Sequence, residues 1–199
     1  MPSLILGSGS PRRAELLTQV GLHFQVESPA IDETIQAQEN PISYVERMSA
    51  TKLAAILGKH GANDQIVALC ADTIVVLDDV ILGKPASDAE SVEMLQALSG
   101  STHRVLTSVS VGDMAGQTKS SCIETVVEFR TLTGAEISAY CLLGEGQDKA
   151  GSYAIQGVGA IFVSAIHGSY SNVVGLPLME AVSILNEFGI STLSDKKNR

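Results

Sequence analysis

"LILGSGSPRRAELL", Leu4–Leu17, is the stretch that decides the fold class. A short apolar run, a Gly/Ser turn and a helix follow one another, the strand–turn–helix unit of α/β proteins. Ser10 suits the N-cap and Pro11 the first helical position, so the helix is expected to begin there. The same stretch poses a problem of charge. The N-terminal end of a helix carries partial positive charge, and a cation there costs roughly 0.3–1 kcal/mol. Arg12 and Arg13 occupy that first turn. The cost is offset if an anion sits at the turn, where free amides and the helix dipole already favour one and guanidiniums add charge-assisted bonds. Neighbouring helical residues point about 100° apart, so the two arginines divide the work, one on the anion and one beside it. The plainer alternative is a pair of solvent-facing arginines tolerated at small cost. On the anion reading, replacing either with Gln weakens ligand binding and leaves the ligand-free protein as stable as before.

Working outward, strand and helix signals alternate along the chain, with no linker, repeat or low-complexity segment. "HFQVESPAIDE" (23–33) reads as extended and leads to Asp32 and Glu33. A helix is expected over Pro41–Leu57. "QIVALCADTIVVLDDVILGKP" (65–85) reads as a strand to Ala71, a second to Leu77, an Asp78-Asp79 turn and a third to Leu82. "SDAE" (87–90) and "TGAE" (133–136) are capping boxes opening helices. Between them lies a hairpin, 103–129, turning at "GDMAG" (112–116). The Gly-rich "DKAGSYAIQGVGA" (148–160) precedes the strand "IFVSAIHG" (161–168). "SYSNVVGLP" (169–177) is a loop feeding a last helix through Phe188, and the tail from about residue 190 is expected to fray. The order gives a mixed α/β fold of one domain spanning residues 1–199.

Composition narrows the function classes. With 199 residues, 45% hydrophobic and 18% charged, the chain has the make-up of an ordinary globular protein. Its net charge of -9 suits neither long nucleic acid nor an anionic membrane. Cys70, Cys122 and Cys141 are odd in number, widely spaced and set in apolar surroundings, as expected of buried reduced thiols. No apolar run reaches the ~18 residues of a membrane span. The start of the chain lacks the order of a secretory signal. A cytoplasmic protein is expected.

Several residues fit poorly in their local pattern. Asp72 interrupts the apolar run "IVALCADTIVVL", where an isolated carboxylate is expensive to bury. It is therefore expected at a strand end or bulge, facing a metal, a cation or a reactive water; an ordinary turn aspartate is the alternative. Lys84 of "GKP" follows the same strands, and no P-loop spacing occurs in the chain. Glu33 and Lys52 are plausible additions to a site around Asp72. The four histidines, His23, His60, His103 and His167, show no metal-ligand spacing and are read as structural or exposed. In "KAGSYAIQGVG", Gly151, Gly157 and Gly159 surround a single Gln156. Glycine permits close backbone approach, and the Gln156 amide offers a donor beside an acceptor, the complement of the uracil or thymine O4 and N3–H edge. A Gly-rich strand entry with an incidental Gln is the alternative.

Taken together, "SGSPRR", "ADTIV", "GKP", "DKAGSYAIQG" and "GSYSNVVGLP" resemble, in order and from Leu4 to about Gly189, the Maf family of nucleoside triphosphate pyrophosphatases. The resemblance implies cleavage between the α- and β-phosphates with a divalent metal cation, Mg or Mn. It implies an elongated two-lobed fold around a twisted mixed sheet with a central cleft, similar to the inosine-triphosphate pyrophosphatases, and a homodimer. Carried over by motif, Asp72 falls on the catalytic proton acceptor, and Arg12, Thr73 and Gln156 on the positions of substrate selection. Ser8, Arg13 and Lys84 fall around the phosphates, and Asp72 and Glu33 on the metal. "AIQG" resembles members acting on dTTP and UTP, in contrast to 7-methylguanosine-triphosphate members with an acidic residue there. The resemblance also implies a house-cleaning or division-arrest role. Two other classes stay open beside the enzyme. A nucleotide-binding regulator without turnover needs no carboxylate beside the phosphates. An RNA-binding module sits badly with the charge and with only 4% aromatics.

Overall fold

A computed structural model describes residues 2–61 and 65–192. The opening unit forms as read: β1 (Ser3–Gly7) passes through the Gly/Ser turn into α1 (Pro11–Gln19). Ser10 stands at the N-cap with extended backbone, but its hydroxyl makes no cap bond; instead its N–H donates to Ser8 Oγ at 3.2 Å. The 23–33 stretch is extended with only a two-residue strand, β2 (Gln25–Val26), parallel to β1. On its other side β1 pairs in parallel with β3 (Ile66–Leu77), from Ser3 opposite Ile66 to Gly7 opposite Cys70. β3 is one continuous strand, where a break near Asp72 was expected. The cost of the carboxylate is met by an ion pair, described below, so the backbone has no need to leave the sheet. Asp78 and Asp79, at φ 47° and 62°, make the tight turn into β4 (Val80–Leu82).

The helix signals of the sequence reappear closely. α2 covers Pro41–Leu57, with Asn40 Oδ1 accepting from Ser43 N–H. α3 covers Asp88–Leu98 behind Ser87, although Glu90 reaches past the N-cap to the Ala86 N–H. β5 (Thr102–Asp113) and β6 (Thr118–Phe129) form the hairpin, and α4 (Gly134–Leu142) starts with the full Thr133–Glu136 capping box. β7 (Val163–His167) begins later than expected, because Val158–Phe162 curls into a 3-10 turn. The loop before the last helix contains a short helix, α5 (Tyr170–Val174), and α6 runs Leu178–Glu187. Most of the tail lies outside the described residues. The strands make one mixed seven-stranded sheet in the order β2-β1-β3-β5-β6-β7, with β4 beside β3.

The chain divides into two compact units whose boundaries fall inside β3, β5 and β6 and between α5 and α6. The first comprises the chain up to Asp72, Thr107–Ile123 and the chain from Gly175 onward. Its core holds Ile5, Leu53, Ile56, Ala68 and Cys70, none more than 4% exposed. Each buried aliphatic side chain contributes about 1.5–3 kcal/mol. Gly7 lets strand and helix approach, since a Cβ there would collide with Cys70 Sγ and Ile56 Cγ1. Buried hydroxyls on α2 and β5 satisfy one another: Ser49 bonds Ser108 at 2.7 Å and Ser110 at 2.9 Å, and Ser110 also bonds the exposed Ser120 of β6 at 2.8 Å.

The second unit comprises Thr73–Leu106 and Glu124–Val174. α3 packs on α4, and edge-to-face rings join Phe129 with His103, Tyr153 and Phe162, and Tyr140 with Phe162. His103 is buried among them with Nε2 2.9 Å from Tyr153 Oη and no partner at Nδ1 among the described residues. Burial pushes its pKa down to about 4. The unfolded chain therefore binds this proton near the usual value of ~6.5, whereas the folded chain refuses it until about pH 4. The stability is present above pH ~6.5 and is lost as pH falls from there toward 4, reaching about 3 kcal/mol. Urea melts at pH 7 and pH 4.5 should show a smaller acid loss in His103→Phe than in the wild type; equal losses would remove His103 from the account.

Candidate active site

Asp72 sits in the middle of β3 with its side chain 14% exposed, and its charge is answered from α2. Lys52 Nζ lies 2.6 Å from Asp72 Oδ1 and 2.7 Å from Glu33 Oε1, so one ammonium bridges two carboxylates. The Lys52 head is itself only 11% exposed, whereas Glu33 is 53% exposed. Glu33 is placed by its backbone: Tyr44 Oη donates to the Glu33 carbonyl at 2.9 Å. Arg47, one turn along α2, donates to Thr34 O and bridges Glu39, which is held down to about pKa 2 chiefly by that bond. Burial, then the charges of Asp72 and Glu33, push the Tyr44 hydroxyl up to about 12, so it stays a donor.

The two arginines of α1 have different fates. Arg13 turns back from the helix, donating from Nε to Gly175 O at 2.8 Å and from Nη1 to Ser8 Oγ at 3.0 Å. Burial lowers its pKa, and Asp72 is the largest charge acting in the other direction. Arg12 is half-buried, and its Nε is a buried donor with no hydrogen-bond partner among the described residues. A donor withdrawn from water without an acceptor is costly, and a ligand oxygen would relieve it. Ser8 Oγ accepts from Arg13 and from Ser10 N–H, which leaves its own proton free to donate.

Within the first unit, then, the structure brings together Ser8, Arg12, Arg13, Glu33, Lys52 and Asp72. Thr73, the next residue of β3, is half-buried and belongs to the second unit with Lys84 and Gln156. Lys84 and Gln156 are both exposed. The loop carrying Lys84 meets the Gly-rich segment directly, Gly151 N–H donating to Gly83 O at 3.1 Å. Cys70, next but one to Asp72, is buried, and burial raises its thiol to about 12 despite Arg13 and Lys52, so it is an inert core residue. Cys122 and Cys141 are half-buried, more open than expected. Tyr44, Arg47 and the Gly175 carbonyl escaped sequence reading, because a side chain reaching a backbone carbonyl leaves no local pattern.

The Asp72–Glu33 pair is a set of hard oxygen donors of the kind that divalent cations take. The Lys52 ammonium between them shows that the position accommodates positive charge. Among the described residues no group of three His, Cys, Asp or Glu converges as a preformed metal cage. The residues present fit a cation held jointly with a ligand.

The mixed sheet and the charged turn at its head define an α/β protein, and the comparisons narrow the class. The structure of a HAM1 protein from Coxiella burnetii matches at TM-score 0.50 and 17% identity, covering 94% of this chain and 100% of that one, which shows a shared fold. The family model described as "Maf-like protein" matches residues 3–188, and the chain belongs to that family. Its relatives include a dTTP/UTP pyrophosphatase of Neisseria gonorrhoeae, 46% identical over 95% of this chain and 95% of that protein. Another is a dTTP/UTP pyrophosphatase of Salmonella typhimurium, 46% identical over 100% and 98%.

The geometry gives the two arginines different weights in ligand-free stability, where neither was expected to matter. Arg13→Gln forfeits charge-assisted bonds to Gly175 and Ser8 and should cost about 2 kcal/mol of ligand-free stability. Arg12→Gln breaks no such bond and should stay within about 0.5 kcal/mol. Thermal melts of the ligand-free variants check this; equal losses would contradict the division.

Proposed function

We propose that this protein hydrolyses dTTP and UTP to the nucleoside monophosphate and pyrophosphate. The observation that carries the reading is Asp72, a carboxylate kept in a buried strand and flanked by Lys52 and the field of Arg13. The full-length likeness to proteins named dTTP/UTP pyrophosphatase supports it. In this reading water attacks the α-phosphorus, Asp72 accepts its proton, and the bond to the α–β bridging oxygen breaks so that pyrophosphate leaves. Arg13, Ser8, Lys84 and the open first-turn amides of α1 hold the phosphates. Arg12, Thr73 and Gln156 select the nucleoside, Gln156 accepting from N3–H and donating to O4. A divalent cation such as Mg2+ or Mn2+, held by Asp72 and Glu33, offsets phosphate charge when bound. Lys52 must then release the carboxylates it now bridges.

The net charge of -9 favours a small anionic ligand held locally over nucleic acid. Among the described residues no helix is long and apolar enough to cross a membrane. The reading includes a cytoplasmic location and, from family resemblance, a homodimer.

Product analysis with UTP and a divalent cation tests the reaction: monophosphate plus pyrophosphate are expected, and orthophosphate plus diphosphate would refute it. Asp72→Asn, if folded, should lower kcat by about 10²–10⁴-fold. Gln156→Glu places negative charge against O4 and should depress kcat/KM for UTP and dTTP relative to GTP and 7-methyl-GTP. Recognition through two such bonds is worth on the order of 1–3 kcal/mol. An unchanged order of preference would show that Gln156 does not read the base.

A further inference from the structure

Gln156 is exposed, yet the backbone on both sides of it is tied down. Two residues before it, Ala154 N–H donates to Tyr140 Oη at 3.0 Å. Beyond it, Val158 N–H donates to Glu145 Oε1 at 2.9 Å and Gly159 N–H to Glu145 Oε2 at 3.0 Å. The Tyr140 hydroxyl in turn bonds to the Glu145 carboxylate. Between these anchors Gly157 N–H closes on Ala154 O at 3.2 Å, so Gln156 is a central residue of a tight turn.

The glycines belong to the same device. A Cβ at Gly157 would collide with the Glu145 carboxylate, and one at Gly159 would meet Ala154 O at 2.7 Å and Tyr140 Oη at 2.9 Å. Carboxylate and phenol fill the space that these glycines leave. Burial alone would raise the Glu145 pKa, but the bonds from Gly159, Val158 and Tyr140 hold it below the usual value. Its bonds to the backbone are thus charge-assisted, roughly twice as strong as neutral ones.

We propose that Glu145, braced by Tyr140, is a positioning residue that fixes the turn from which Gln156 meets the base. The proposal rests on the reading of Gln156 as the group that recognises uracil and thymine. Glu145 touches no reacting atom; it sets where the Gln156 side chain leaves the backbone. A purely structural role, capping the 3-10 turn that begins at Val158, would change stability without changing which nucleotide is preferred.

Steady-state kinetics on UTP and GTP separate these roles. Glu145→Ala should raise KM for UTP on the order of 10- to 100-fold, with kcat changed little, and should flatten the UTP-over-GTP preference. Glu145→Gln, which keeps one acceptor oxygen, should fall between wild type and Glu145→Ala. In a Gln156→Ala background, Glu145→Ala should add almost nothing. If Glu145→Ala does not fold by thermal melt, Tyr140→Phe, which removes the acceptor of Ala154 N–H, carries the same test in the same direction. Equal effects of Glu145→Ala with and without Gln156 would overturn the proposal. So would a preference that shifts in Gln156→Ala but not in Glu145→Ala, and then only the positioning role fails. If Gln156→Ala leaves the preference untouched, base reading itself fails and the proposal falls with it.

Discussion

A carboxylate in the middle of a buried strand must be neutralised where it stands, and the first unit is organised around doing so. The ion pair of Asp72 with Lys52 requires α2 to lie across β3 with residue 52 facing the strand. That single placement dictates much else along the helix. Leu53 and Ile56 then enter the core beside Ala68 and Cys70. Ser49, one turn before Lys52, reaches the hydroxyls of Ser108 and Ser110. Tyr44 and Arg47, earlier on the helix, secure the loop that carries Glu33. One helix therefore supplies the counter-charge, packs the hydrophobic layer and positions a second carboxylate.

The loops of the charged site and the turn that carries Gln156 are held by different means. In the first, long cations reach out from helices to carbonyls and carboxylates, as Arg47 does to Thr34 and Glu39, and Arg13 to Gly175. In the second, glycine removes side chains so that Glu145 and Tyr140 press directly on the backbone of residues 154–159. The first solution keeps positive charge near an expected anion; the second leaves an uncharged amide facing outward.

Much of this was legible in the residues. α2 follows from its apolar spacing and proline start, the hairpin from β-branched runs around a Gly-rich turn, and α4 from its capping box, because each signal is local. Asp72 was rightly expected to face a cation, here Lys52, while the strand break inferred from it was wrong. Lys52, twenty residues upstream and expected only as a plausible addition to the site, compensates the charge, a pairing that no local pattern reports. Ile161 and Phe162, the end of the 3-10 turn that starts at Val158, were misread as strand because apolar residues look the same in either conformation; Glu145 accepts from the first backbone N–H groups of that turn. Which of Arg12 and Arg13 would be tied into the fold was not legible, because the acceptor lies far along the chain. Only the folded chain shows that Gly175 is the acceptor of one and that the other has a donor to spare.

That acceptor has a consequence for how the molecule comes into being. Arg13 and Gly175 are 162 residues apart, and the first unit is assembled from three separate stretches of chain. At the ~5–20 residues per second of synthesis, the arginine waits on the order of ten seconds for its carbonyl to be made. Lys52, Glu33 and Asp72 emerge close together, so the acidic pair and its lysine can meet early. The guanidinium anchor cannot close until Gly175 has left the ribosome. A nascent chain short of that residue carries the carboxylates of the site without its finished cationic wall.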